Sequence, residues 1–137
     1  WRGFAQRRLQ VQYSPLVANL ILWFLMVIWH IPNDIEQYRH GGYLLVRIAL
    51  YPFITILFGW IYNRTKGSIL APAIFHASMN SMNPLMGVFP ITTAGNILLV
   101  SLAMVALVSD RMWRRLPGDH PAVHQDVAAS ASAASSV

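Results

Sequence analysis

The chain has 137 residues, 55% hydrophobic and only 11% charged, with a formal net charge of +5 and a mean hydropathy of +0.45. A soluble domain carries roughly a quarter charged residues, and here no Asp, Glu, Lys or Arg occurs from Leu9 to Asn33, Ile48 to Asn63 or Gly67 to Ser109. These gaps exclude a water-facing globule; basic residues placed beside them exclude a nucleic-acid surface, and the lack of cysteine excludes disulfides and Cys-ligated zinc.

A bilayer core about 30 Å thick takes about 20 mostly apolar residues per helix. In chain order, Trp1–Gln10 reads as the end of a helix that began upstream and leaves the membrane near Arg7 and Arg8. The chain opens on Trp1 with no signal sequence and is expected to be a fragment. A first full span is predicted from about Ser14 to Ile31, with Ser14-Pro15 as its start and Pro32 as its stop. Asn33–Gly42 reads as a polar loop. The second span covers about Tyr43–Tyr62, with Arg47 close enough to one end to snorkel. NRTKG, residues 63–67, is a tight polar turn. The third span runs from about Ser68 to Met86, and a fourth lies within Phe89–Ser109. The expected fold is therefore an all-α, polytopic transmembrane bundle over residues 1–109, with four full spans and the end of a preceding helix. Residues 110–137 form a basic, then Ala/Ser-rich tail with little to bury, expected to be disordered.

Basic residues cluster at alternate span ends: Arg2, Arg7 and Arg8, then Arg64 and Lys66, then Arg111, Arg114 and Arg115. The opposite ends carry only Arg39, plus Arg47 inside its span. The positive-inside rule then puts residues 1–10, 63–67 and 110–137 on the cytoplasmic side.

Two ionisable residues fall inside predicted spans away from the basic ends, His30 and His76. Asn80 shares a helical face with His76, and Asn83 extends it. At about 1.5 Å per residue, His30 lies roughly 24 Å above its cytoplasmic end, and His76 and Asn80 roughly 14 and 20 Å above theirs. Polar groups in hydrocarbon must be paired or face a cavity, so the three are expected to point into the bundle.

Trp1-Arg2-Gly3-Phe4, Trp29-His30-Ile31-Pro32 and His76-Ala77-Ser78-Met79-Asn80 resemble, in order, three motifs of the CAAX-protease and bacteriocin-processing (CPBP, or Abi) intramembrane proteases. Those motifs are a Glu-Glu-x-x-x-Arg helix, a Phe-x-x-x-His helix and a His-x-x-x-Asn helix. Met26 stands where the second motif has Phe, with Phe24 nearby. If Arg2 is the family arginine, the glutamate pair lies before Trp1, and the chain alone is expected to be inactive. The acids present, Asp34, Glu36, Asp110, Asp119 and Asp126, read as loop or tail residues.

The resemblance implies an intramembrane endopeptidase that hydrolyses prenylated or membrane-associated protein or peptide substrates within the lipid bilayer. Its site would comprise His30, His76, Asn80 and Arg2, with a glutamate as general base. Two accounts stay open. In one, His30 and His76 are zinc ligands together with an upstream glutamate, and the bound water is acidified; in the other there is no metal, His30 assists the base, and His76 and Asn80 face the oxyanion.

The competing reading is a non-enzymatic membrane protein, an immunity or scaffold factor or a transporter fragment. There His76 and Asn80 only hydrogen-bond between helices. The small stripe Ala73, Ala77, Ser81 is expected to let helices pack closely. Trp23, Trp29, Trp60 and Trp113 read as interface or packing aromatics. His40 is expected to be solvated, and His120 and His124 to hold no metal.

Overall fold

The computed structural model describes residues 2–38, 43–86 and 93–123, and every regular element among them is helical. A π-helical turn, Arg2–Gln6, runs into α1 (Arg7–Gln12) and is followed by α2 (Pro15–Tyr38), α3 (Tyr43–Arg64), α4 (Leu70–Met86) and α5 (Thr93–Ser109). Two segments, Pro15–Glu36 and Leu44–Arg64, are long and apolar enough to cross a membrane, and Thr93–Ser109 is a shorter apolar helix. At 17 residues each, α4 and α5 extend about 26 Å. The expected start of the last span near Phe89 lies outside the described residues.

Local chemistry sets the helix ends. Ser14 caps α2, its Oγ accepting from the Val17 N–H at 3.4 Å, with Pro15 at the first helical position. Helix α3 stops as Lys66 and Gly67 turn left-handed (φ 57° and 85°), and the Gly67 N–H returns to the Tyr62 carbonyl at 2.8 Å. The end of α5 repeats this pattern. Arg111 is left-handed (φ 46°), and the Met112 N–H bonds the Leu107 carbonyl at 3.1 Å.

Helix α3 is the hub, packed by α2, α4 and α5. Helix α5 buries Gly95, Leu99, Ala103 and Ala106, so small side chains bring it close to Leu50 and Leu57 of α3. Its other face exposes Ile97, Leu98, Leu102 and Val105, the outward apolar surface that lipid accepts. Ala103→Leu should therefore overpack the α3–α5 contact and cost about 1–3 kcal/mol. That loss would be read as a lower thermal midpoint in detergent, with Val105→Leu on the exposed face as the neutral control.

Four expectations need correction. Helix α2 does not stop at Pro32: it continues to Tyr38 and absorbs Asn33–Tyr38 from the expected loop. A proline removes one helical N–H and crowds the turn before it. The turn beyond it is held by Asp34, fully buried against Arg47 and Tyr51 of α3. Arg47 therefore faces a carboxylate rather than snorkelling.

Residues 110–123 are also not a loose tail. Met112, Ala122 and Val123 are buried, the Met112 carbonyl accepts from the Leu16 N–H at 2.8 Å, and Asp110 takes Arg64 Nε at 2.8 Å. The Ala/Ser-rich end lies outside the described residues. Finally, Ala73, Ala77 and Ser81 are exposed, and the small residues that pack a helix closely belong to α5.

Candidate active site

Helices α2 and α3 run antiparallel, which sets two helical ladders face to face. His30 and Asp34, one turn apart on α2, meet Tyr51 and Arg47, one turn apart on α3. The His30 ring lies 5.7 Å from the Tyr51 ring, tilted by 52°. His30 Nδ1 lies 2.8 Å from the Met26 carbonyl. A carbonyl only accepts, so Nδ1 is the donor in this contact. His76 comes from α4, its ring edge-on to Phe58 of α3 at 5.5 Å, and Phe58 also meets Phe75 at 5.3 Å.

Two adjoining cavities join these residues. One of about 80 Å³ is lined by His30, His76 and Asn80 together with Arg47 and Tyr51. The other, about 340 Å³, is lined by Arg2, His30 and His76 with Trp29, Ile69 and Pro72. His30 and His76 thus form the shared wall, with Asn80 toward one side and Arg2 toward the other. His76 and Asn80 are exposed along α4, and His30 is half-buried. The Asn83 side chain, His40 and His124 lie outside the described residues. His120 Nδ1 accepts from the Ala122 N–H at 3.1 Å within the turns after α5.

Arg2 is an interior residue. Its Nη1 donates to Gln6 Oε1 and, at 2.7 Å, to Asn19 Oδ1; Nη2 donates to the Thr55 carbonyl at 3.3 Å. The guanidinium also covers the Phe58 ring at 5.2 Å. Behind it, Gln6 donates to Gln10 at 2.8 Å and Gln10 to Asn63 at 2.9 Å, a buried ladder that ties the first turns to α3. Asn19 closes the cradle, its Nδ2 donating to the Pro15 carbonyl at 2.8 Å.

Sequence reasoning missed Asn19, Asp34, Arg47 and Tyr51. The available signal was spacing: Asp34 follows His30 by one turn, and Arg47 precedes Tyr51 by one turn.

A catalytic zinc takes three protein ligands. Among the described residues no group of three His, Cys, Asp or Glu gathers, and His30 and His76 would supply two of those three ligands.

Residues 1–82 match the family model described as Type II CAAX prenyl endopeptidase Rce1-like. The chain belongs to this family. Every residue that lines the two cavities lies within the matched stretch. A CAAX prenyl protease 2 from Methanococcus maripaludis is 25% identical over 130 residues, covering 85% of this chain and 47% of that protein. The chain thus spans about half the length of the curated relative it matches. No solved structure matches it. Rce1-like membership and the apolar helices α2 and α3 make this a membrane protein of a CAAX-type protease family.

Proposed function

We propose that this chain forms part of an intramembrane endopeptidase of the CAAX-processing type, with His30, His76, Asn80 and Arg2 as its polar site. The observation that supports this most is that His30 and His76, from separate helices, share the walls of both cavities. Ionisable residues inside membrane-spanning helices are rare and mark functional sites.

In this reading a carboxylate from the chain before Trp1, on the turn preceding Arg2, takes a proton from water. The water oxygen then attacks the scissile carbonyl. His30 Nε2 accepts a hydrogen bond from that water and holds it in place. The carbonyl becomes an oxyanion, and N–H donors from His76 and the Asn80 carboxamide stabilise the developing charge. The C–N bond breaks, and the proton taken from water passes to the leaving amine. Arg2, surrounded here by neutral acceptors, pairs with and orients the carboxylate. Asp34 cannot serve as that base, because its two oxygens are engaged by Arg47 and Tyr51. The substrates are prenylated or membrane-associated proteins or peptides. The protein crosses the bilayer four times after its first helix, with residues 1–10, 63–67 and 110–137 cytoplasmic.

The test is cleavage of a prenylated CAAX peptide, and of a membrane peptide without a prenyl group, by the full-length gene product in detergent. The His30→Ala/His76→Ala double variant should be inactive yet fold with an unchanged helical spectrum. Full activity in that variant would leave the helix-glue reading standing instead.

A further inference from the structure

The buried cluster beside His30 belongs to none of the roles above. Asp34 is fully buried and Tyr51 is 4% exposed, inside a segment apolar enough to span a membrane. Arg47 Nε lies 2.9 Å from Asp34 Oδ1 and 3.0 Å from the Tyr51 hydroxyl, and that hydroxyl donates its proton to Asp34 Oδ2. The Arg47 guanidinium also covers the Tyr51 ring at 5.4 Å. Burying a carboxylate and a guanidinium is costly, and a well-packed apolar pair would often hold two helices equally well. What the ionic pair adds is a fixed register.

That register matters here because of Pro32. It lies two residues beyond His30 inside α2 and deletes the helical bond to the Ile28 carbonyl. The turn carrying His30 is thus weakened on its far side. Asp34, the next residue on that face, is tied to α3, and the tyrosine it ties is the ring that meets His30. Arg47 and Tyr51 moreover line the same cavity as His30, His76 and Asn80.

From this geometry we infer that Asp34, Arg47 and Tyr51 are positioning residues for His30. Together they clamp α2 to α3 past Pro32 and hold the imidazole with Nδ1 on the Met26 carbonyl and Nε2 toward the cavity. They touch neither the water nor the scissile bond. The inference rests on the protease reading for its kinetic consequence, but its structural consequence is independent of it.

The experiment uses the full-length protein in detergent, with imidazole ¹⁵N labelling to report the tautomer of His30 and kinetics to report its work. Wild type should show the His30 Nδ1 proton donated to the Met26 carbonyl. Asp34→Ala should mix the tautomers and lower kcat by about 10–100-fold with KM within about twofold, the scale expected for misplacing a reacting group by about 1 Å. Tyr51→Phe keeps the ring and the packing volume, so it guards against a variant that does not fold; it should lower kcat by about 3–10-fold with the same ¹⁵N change. The Asp34→Ala/Arg47→Ala double variant should be no slower than the worse single variant, since both break one clamp. Wild-type kcat and an unchanged His30 signal in Tyr51→Phe and Asp34→Ala would overturn the clamp, even with His30→Ala inactive. Undiminished cleavage by His30→Ala would instead overturn the protease reading, leaving the tautomer measurement to decide the clamp by itself.

Discussion

Asn80→Ala is expected to lower kcat/KM by about 100-fold, the scale seen when one oxyanion donor is removed. His76→Ala should cost at least as much. Both side chains project from one face of α4 and line the same cavity, so they act on the same developing charge. Two donors to one oxygen are not independent, and the double variant should be little slower than the worse single one. Asn80→Asp gives the sharper contrast. It preserves shape but replaces an N–H donor by a carboxylate that repels the oxyanion, so it should fall below Asn80→Ala. Asn80 is exposed along α4, so none of these changes should move the thermal midpoint by more than a degree or two. The helix-glue reading demands the reverse, a large loss of stability with cleavage intact. Measuring melting and turnover on the same preparations separates the two.

The imidazoles were legible in the sequence because the bilayer makes depth countable. A fixed rise per residue from each basic end puts His30 and His76 in the middle or outer half of the bilayer core, and the i, i+4 spacing adds Asn80. His30 and His76 line both cavities, and Asn80 lines one of them. The clamp was hidden by the same reasoning. Asn33–Gly42 combines a proline boundary with polar and charged residues, which locally reads as a loop; only a partner on α3 reveals that Asp34 is interior. Arg47 near a span end looked like a snorkelling residue for the same reason, since a single helix cannot show what faces it. The segment 110–123 misled through composition: its few buried apolar residues, Met112, Ala122 and Val123, suffice when the ends of α2 and α3 offer them a seat. The cradle of Arg2 is likewise a matter of pairing. Asn19 is one amide in an apolar run, and its bonds to Arg2 and the Pro15 carbonyl and its closeness to Gly59 make it a fixed part of the bundle.

That closeness yields the second large effect. A methyl group at Gly59 would sit 2.1 Å from Asn19 Nδ2, 2.3 Å from Oδ1 and 2.5 Å from Cγ. Real carbon atoms do not approach so near, so Gly59→Ala must either part α2 from α3 or swing the amide away. The amide is not free to swing, because it spans the Pro15 carbonyl and the Arg2 guanidinium. Overpacking of this kind costs about 1–3 kcal/mol. Losing a buried hydrogen bond to a charged group adds roughly 1.5–3 kcal/mol. Gly59→Ala should therefore melt well below wild type and lose most of its cleavage, since Arg2 loses its Asn19 acceptor. The Asn19→Ala/Gly59→Ala double variant removes the clash while leaving Arg2 without the Asn19 acceptor. Its thermal midpoint should recover much of the way, and its turnover should not. Stability and activity would then part company at one position on the α2–α3 contact, as expected if Asn19 orients Arg2 rather than merely filling space. Wild-type melting and cleavage in Gly59→Ala would mean that α2 and α3 do not meet at Asn19 at all.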